Sequence, residues 1–186
     1  MKWIIRSAVA LVALVAIAVL TLVAVGHRAE AGHLHLVAEI QLPPAQLWPW
    51  LNEGDRLRQW VSWLVEVRPA DPGTSGVGSK VTWVMHDRNN ANMPMSIEAT
   101  YEEYAPPALL TVATAVPGSF TGRQSYRLTD LGGGRTRFEV DGWYRFEDWF
   151  AALLEPVITP AAQKKLDSDV AHLKSLAESG SLQAVR

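Results

Sequence analysis

Residues 131–179 read LGGGRTRFEVDGWYRFEDWFAALLEPVITPAAQKKLDSDVAHLKSLAES, and the spacing of their apolar side chains changes once, near residue 148. LGGGR at 131–135 has the composition of a tight hairpin turn. Through 136–146 the chain alternates, with Phe138, Val140, Gly142, Tyr144 and Phe146 on one face, which is the two-residue period of a half-buried strand. From 148 to 179 the spacing becomes three and four, and Leu166, Val170, Leu173, Leu176 and Ala177 form one stripe of a helix. Pro156 and Pro160 predict a bend in that helix. A strand that leads directly into a long one-sided helix predicts a helix laid across a sheet.

Working back towards the N-terminus, 120–129, 109–117, 93–104 and 80–88 each have strand character, separated by Pro-containing or Asn-rich turns. PADPGTSGVG at 69–78 is a loop, and 60–68 is extended. Before it, PAQLWPWLNEGDRLRQW at 44–60 predicts a short helix to about 52 and a further helical turn over 54–59. Residues 33–41 alternate again, Leu34, Leu36, Ala38 and Ile40 against His33, His35, Val37 and Glu39, until Pro43 and Pro44 stop the strand. The order strand, two short helices, five or six antiparallel strands, long helix predicts the α+β class, with the helix on one face of a twisted antiparallel sheet.

The 186 residues allow one domain of ordinary size. Cysteine is absent, which excludes disulfides, thiolate nucleophiles and Cys-ligated metal. Residues 7–25, SAVALVALVAIAVLTLVAV, carry neither charge nor proline. As a helix they would span roughly 28 Å, close to a hydrocarbon core of about 30 Å. Lys2 and Arg6 precede the run, which predicts a cytoplasmic N-terminus and a domain beyond the membrane. The alternative is secretion after cleavage near Ala29-Glu30-Ala31, but the run exceeds the ~7–15 apolar residues of export signals, so a retained anchor is preferred. The predicted organisation is an anchor over 1–28, a folded domain over 33–180 and a disordered tail over 181–186. Without Lys2 and Arg6, 15 basic side chains face 19 acidic ones, a formal charge of −4. That balance argues against nucleic acid as a partner. The arginines at 123, 127, 135, 137 and 145 alternate with apolar residues and read as the solvated face of two strands.

Four pieces in this order, AEIQLPPAQLWPWLNEGDRLRQWVSW, PGTSGVGSKVTWVM, LTDLGGGRTRFEVDGWY and KKLDSDVAHLKSLAES, make residues 33–180 resemble the SRPBCC or START-like superfamily, in its polyketide cyclase/dehydrase branch. The resemblance implies a helix-grip fold, in which a curved antiparallel sheet wraps a long C-terminal helix and leaves an apolar cavity between them. It implies a hydrophobic small molecule or lipid as ligand and does not imply a conserved catalytic residue; no cofactor is expected. HDRNNANMP at 86–94 departs from the plain turn usual there.

The inward strand positions expected to meet such a ligand are Trp83, Met85, Met95, Ile97, Tyr101, Phe138, Val140 and Tyr144, facing Phe150, Leu154 and Ile158 of the last helix. The same residues could instead fill the core, and the sequence leaves both readings open. Proton transfer would need His86, Asp87, Tyr101 or Asp141, but His86 and Asp87 as strand neighbours point to opposite faces, so a solvated turn is preferred. Tyr101 and Tyr144 as core tyrosines with their hydroxyls at the rim are preferred over ligand donors. His33 and His35 share a strand face, yet without a third ligand no metal site is expected. Trp48, Trp50, Trp60 and Trp63 read as a small core beneath the short helices, in preference to a membrane-facing surface or portal. Three functions follow in order of preference: a membrane-tethered binding module for a hydrophobic molecule, a cyclase- or dehydrase-type enzyme, and a non-binding spacer or interaction unit. Turnover and oligomeric state are left open.

Overall fold

Strand β7 (Arg135–Phe146) lies between β1 (Gly32–Ile40) and β6 (Phe120–Gly132), antiparallel to both, and β1 closes one edge of the sheet. The computed structural model describes residues 2–28, 31–73, 75–87 and 93–183. Beyond β6 come β5 (Leu109–Val116), β4 (Met93–Ala105), β3 (Lys80–Asp87) and β2 (Leu64–Pro69), giving one seven-stranded antiparallel sheet in the order β1-β7-β6-β5-β4-β3-β2. Between β1 and β2 run three short helices, α2 (Pro44–Leu47), α3 (Pro49–Asn52) and α4 (Gly54–Trp60). The first strand therefore pairs with the last, and the chain between them supplies the rest of the sheet.

The C-terminal segment is two helices, α5 (Trp149–Leu153) and α6 (Glu155–Gln183). The Asp148 carboxylate caps α5 by accepting the Ala151 N–H at 2.8 Å. The helix breaks at Leu154, ahead of the expected bend, and Pro156 then occupies the first turn of α6, where a proline costs no hydrogen bond. α6 reaches Gln183, three residues into the segment expected as a tail; 184–186 lie outside the described residues.

Register puts Ile40, Phe138, Leu128 and Leu110 on the concave face at one end of the sheet, where Leu47, Leu173 and Ala177 close over them. Phe138 and Leu173 are fully buried there. At the other end the concave positions are Gly142, Gly122 and Thr114, which border an unfilled space. The arginines at 123, 127, 135, 137 and 145 are exposed, as a solvated strand face requires.

The N-terminal helix α1 (Lys2–Gly26) is long and apolar enough to cross a membrane, and an export signal shares both properties. Its last turn is seated on the domain. A side chain at Gly26 would overlap the Ala152 backbone of α5, so the two helices approach as closely as backbones allow. A His27 ring nitrogen lies 2.9 Å from the Phe146 carbonyl at the end of β7.

Candidate functional site

The unfilled half of the grip is a half-enclosed cavity of about 360 Å³ between the concave sheet face, α4 and the first half of α6. Its walls are predominantly apolar: Leu34, Trp60, Trp63, Trp83, Met85, Met95, Ile97, Phe120, Tyr144, Phe146, Ile158 and Leu166 all contribute. Alternation explains the inward set, since Met85 opposes Met95, and Trp83 opposes Ile97, across the β3–β4 ladder. Glycine explains the volume. Gly142 stands at a concave position where the packed half carries Val140 and Phe138, while at Gly122 the missing side chain lets Thr114 Oγ1 and Tyr144 Cβ close in, 3.1 and 3.2 Å from where it would begin. Gly32 has a different task, because the Tyr144 ring lies where its side chain would be.

Few polar groups reach the cavity, and those with recorded partners bond within the protein. Lys165 Nζ donates to Asp169 Oδ2 at 2.6 Å, and Asp169 Oδ1 accepts the Ser62 N–H at 3.2 Å. Asp169 is only 6% exposed, and these two donors are its recorded partners. Lys165 Nζ also sits 5.2 Å from the Trp63 ring centroid. Trp63 is the one non-glycine residue with positive φ (74°) among the described residues, a conformation that costs roughly 1–3 kcal/mol. It turns the chain from α4 into β2, and its carbonyl accepts the His86 N–H at 2.8 Å. At the other wall Tyr144 donates its hydroxyl proton to Thr159 Oγ1 at 2.6 Å, because the Thr159 proton is directed to Glu155 Oε1 at 2.7 Å. Burial, with Glu155 nearby, holds the Tyr144 hydroxyl above the usual tyrosine range and keeps it a neutral donor.

Six of the eleven residues expected to meet a ligand line this cavity: Trp83, Met85, Met95, Ile97, Tyr144 and Ile158. Tyr101, Phe138 and Val140 face inward but belong to the packed core. Phe150 and Leu154 are exposed outside the cavity, because the break at Leu154 interrupts the single helix expected to carry them together with Ile158. Of the residues considered for proton transfer, His86, Tyr101 and Asp141 do not converge, and the Asp87 side chain lies outside the described residues. Asp141 lies on the opposite sheet face, 3.2 Å from His33 and 3.6 Å from His35, while His33 stacks on Trp143 at 3.7 Å. No metal-binding group forms there or elsewhere among the described residues. His86 is exposed, Tyr101 is buried in the core with burial raising its pKa, and residues 88–92 of the polar stretch lie outside the described residues. The tryptophan cluster divides. Trp48 packs edge-on to Tyr104, and the Trp60 indole donates to the Trp50 carbonyl, as a small core requires. Trp60 and Trp63 nonetheless form cavity wall.

Sequence reasoning missed Lys165 and Asp169. The available signal was their i, i+4 spacing one position before Leu166 and Val170, which sets an ion pair on the border of the apolar stripe.

The sequence model of the family described as polyketide cyclase/dehydrase and lipid transport matches residues 32–178, which take in the whole sheet and most of the helix that crosses it. The chain belongs to that family. Membership of this polyketide cyclase/dehydrase and lipid transport family makes residues 32–178 a hydrophobic-ligand-binding domain with the helix-grip fold. Solved structures share that fold. A conserved protein from Geobacillus kaustophilus aligns with a TM-score of 0.65 at 10% identity, over 79% of this chain and 95% of its own. The protein NE0264 from Nitrosomonas europaea aligns at 0.63 and 16% identity, over 81% and 97%. The di-domain ARO/CYC BexL from the BE-7585A biosynthetic pathway aligns at 0.61 and 16% identity, over 78% of this chain and 46% of BexL. No curated protein matches the sequence.

Proposed function

We propose that this chain is a membrane-tethered binding module, which holds a hydrophobic small molecule or lipid in the cavity between the sheet and α6. The observation that carries the reading is the cavity itself. Its volume of about 360 Å³ lies within the ~300–1,000 Å³ of small-molecule sites, and its walls are predominantly apolar. Burying an apolar surface there gains about 25 cal/mol per Å². The Lys165–Asp169 pair is neutral as a whole, which suits a ligand with an apolar body and at most one polar head. α1 supplies the tether, with the domain on the side of the membrane opposite Lys2 and Arg6.

A cyclase or dehydrase would need a proton donor free to act inside the cavity. The Tyr144 hydroxyl is committed to Thr159, and Asp141 lies on the other face of the sheet, so the observations favour binding over turnover. The spacer reading needs a cavity filled by its own side chains, which this one is not.

Native mass spectrometry of the full chain, released from detergent after exposure to a total lipid extract, tests the proposal. A discrete added mass is expected, and its loss in Gly142→Leu would tie it to the cavity. Wild-type protein that never carries an added mass would contradict the reading.

A further inference from the structure

Outside α1, nine large apolar side chains among the described residues are exposed, and four of them fall between residues 149 and 157. Trp149 is 60% exposed, Phe150 54%, Leu154 37% and Val157 68%. The other five, Val37, Val65, Val77, Met93 and Leu131, are scattered, as single surface apolar residues ordinarily are. A cluster that includes two aromatics is different, because contiguous apolar surface marks a place where something other than water is met.

Its position says what that is. The four residues surround the break between α5 and α6, and α5 is the element on which the last turn of α1 is seated. Gly26 meets the Ala152 backbone directly, one residue after the apolar run 7–25 ends. When α1 spans a bilayer, Gly26 marks the edge of the hydrocarbon core. A five-residue helix is about 7 Å long, so the whole of α5 then falls within the headgroup layer, which adds roughly 5–7 Å on each side of the core. Tryptophan and phenylalanine are suited to that depth, where a ring can be half in acyl chain and half in water.

The geometry points to the α5–α6 corner, Trp149, Phe150, Leu154 and Val157, as a bilayer-docking surface seated in the leaflet from which α1 emerges. The inference rests on the reading of α1 as a tether and deepens the proposed function, because the cavity occupies the same end of the grip. Ile158 of its wall is the residue after Val157, and Met95, Phe120, Tyr144 and Ile158 all line it while remaining partly exposed. Docking therefore sets the hollow half of the domain against lipid, and the ligand it favours is an amphiphile resident in that leaflet.

The absence of cysteine makes the test direct. Single cysteines are introduced by Phe150→Cys, Val157→Cys, Leu131→Cys and Ala16→Cys, the first three at exposed domain positions, and spin-labelled. The full chain is reconstituted in nanodiscs of phosphatidylcholine and phosphatidylglycerol. Relative accessibility to oxygen and to a water-soluble nickel complex then reports the depth of each label. Labels at 150 and 157 are expected to fall between the lipid-immersed label at 16 and the aqueous label at 131. If 16 is in lipid while 150 and 157 match 131, the docking surface is wrong and the tether stands. A label at 16 that is as aqueous as 131 would remove the tether and the docking surface together. Dipolar broadening between labels at 150 would show a second copy covering the corner, and would also overturn the proposal.

Discussion

One sheet and one helix build two unlike halves of this domain. At the end where α6 finishes, Ile40, Phe138, Leu128 and Leu110 meet Leu47, Leu173 and Ala177 with no space left over. At the end where α6 begins, the same strands carry Gly142, Gly122 and Thr114 at concave positions, and a cavity of about 360 Å³ lies between them and Ile158, Ala162 and Leu166. The same strands run through both halves, and smaller side chains at the concave positions of one end go with the open space there. The packed half can supply the stability that the hollow half forgoes.

That division can be broken by mutation. Phe138→Ala removes a fully buried ring stacked on Tyr126 and is expected to cost about 3–5 kcal/mol, read as a lower urea midpoint of the full chain in detergent. Ile158→Ala, at the cavity wall, should cost less than about 1 kcal/mol, because the space beside it is already empty. Equal costs would mean that the two halves are packed alike. Next in size, Gly142→Leu places a side chain in the hollow half. It should weaken uptake of an apolar probe by more than about tenfold, or 1.4 kcal/mol, while unfolding stays within about 1 kcal/mol of wild type.

Tyr144→Phe keeps the ring over Gly32 but removes the proton donated to Thr159. The expected loss is about 1 kcal/mol, with faster amide exchange confined to the first turns of α6. The smallest effect concerns pH. Burial raises the pKa of Tyr126 in the core and of Tyr101 beside it, so the folded state keeps protons that the unfolded state releases above about pH 10. Stability conferred by these neutral hydroxyls is complete below that pH and falls as pH rises further. An alkaline titration of wild type against Tyr126→Phe, followed by tyrosinate absorbance and unfolding, should show a shallower decline in the variant.

The faces of the elements were legible in the sequence, and their positions along the grip were not. Alternation set Phe138, Val140 and Tyr144 on one side of β7, and all three do point inward. Two-residue periodicity carries no information on which end of a strand meets a filled core, so it does not separate Phe138 and Val140 from Tyr144, although of the three only Tyr144 reaches the cavity. That distinction depends on what the neighbouring strands place beside each residue, as Gly122 does for Tyr144 and Leu128 for Phe138. The start of the last helix departs from expectation for another reason. One break at Leu154 separates Phe150 from Ile158, and the side chains before it cover a different surface.

A binding module requires that an apolar ligand enter the hollow half. Tryptophan fluorescence of the full chain in detergent, titrated with a dibrominated fatty acid, reads this at Trp60, Trp63 and Trp83, which line the cavity. Saturable quenching in wild type that is largely lost in Gly142→Leu is the predicted result. Quenching of equal size in both proteins, or in neither, would contradict it.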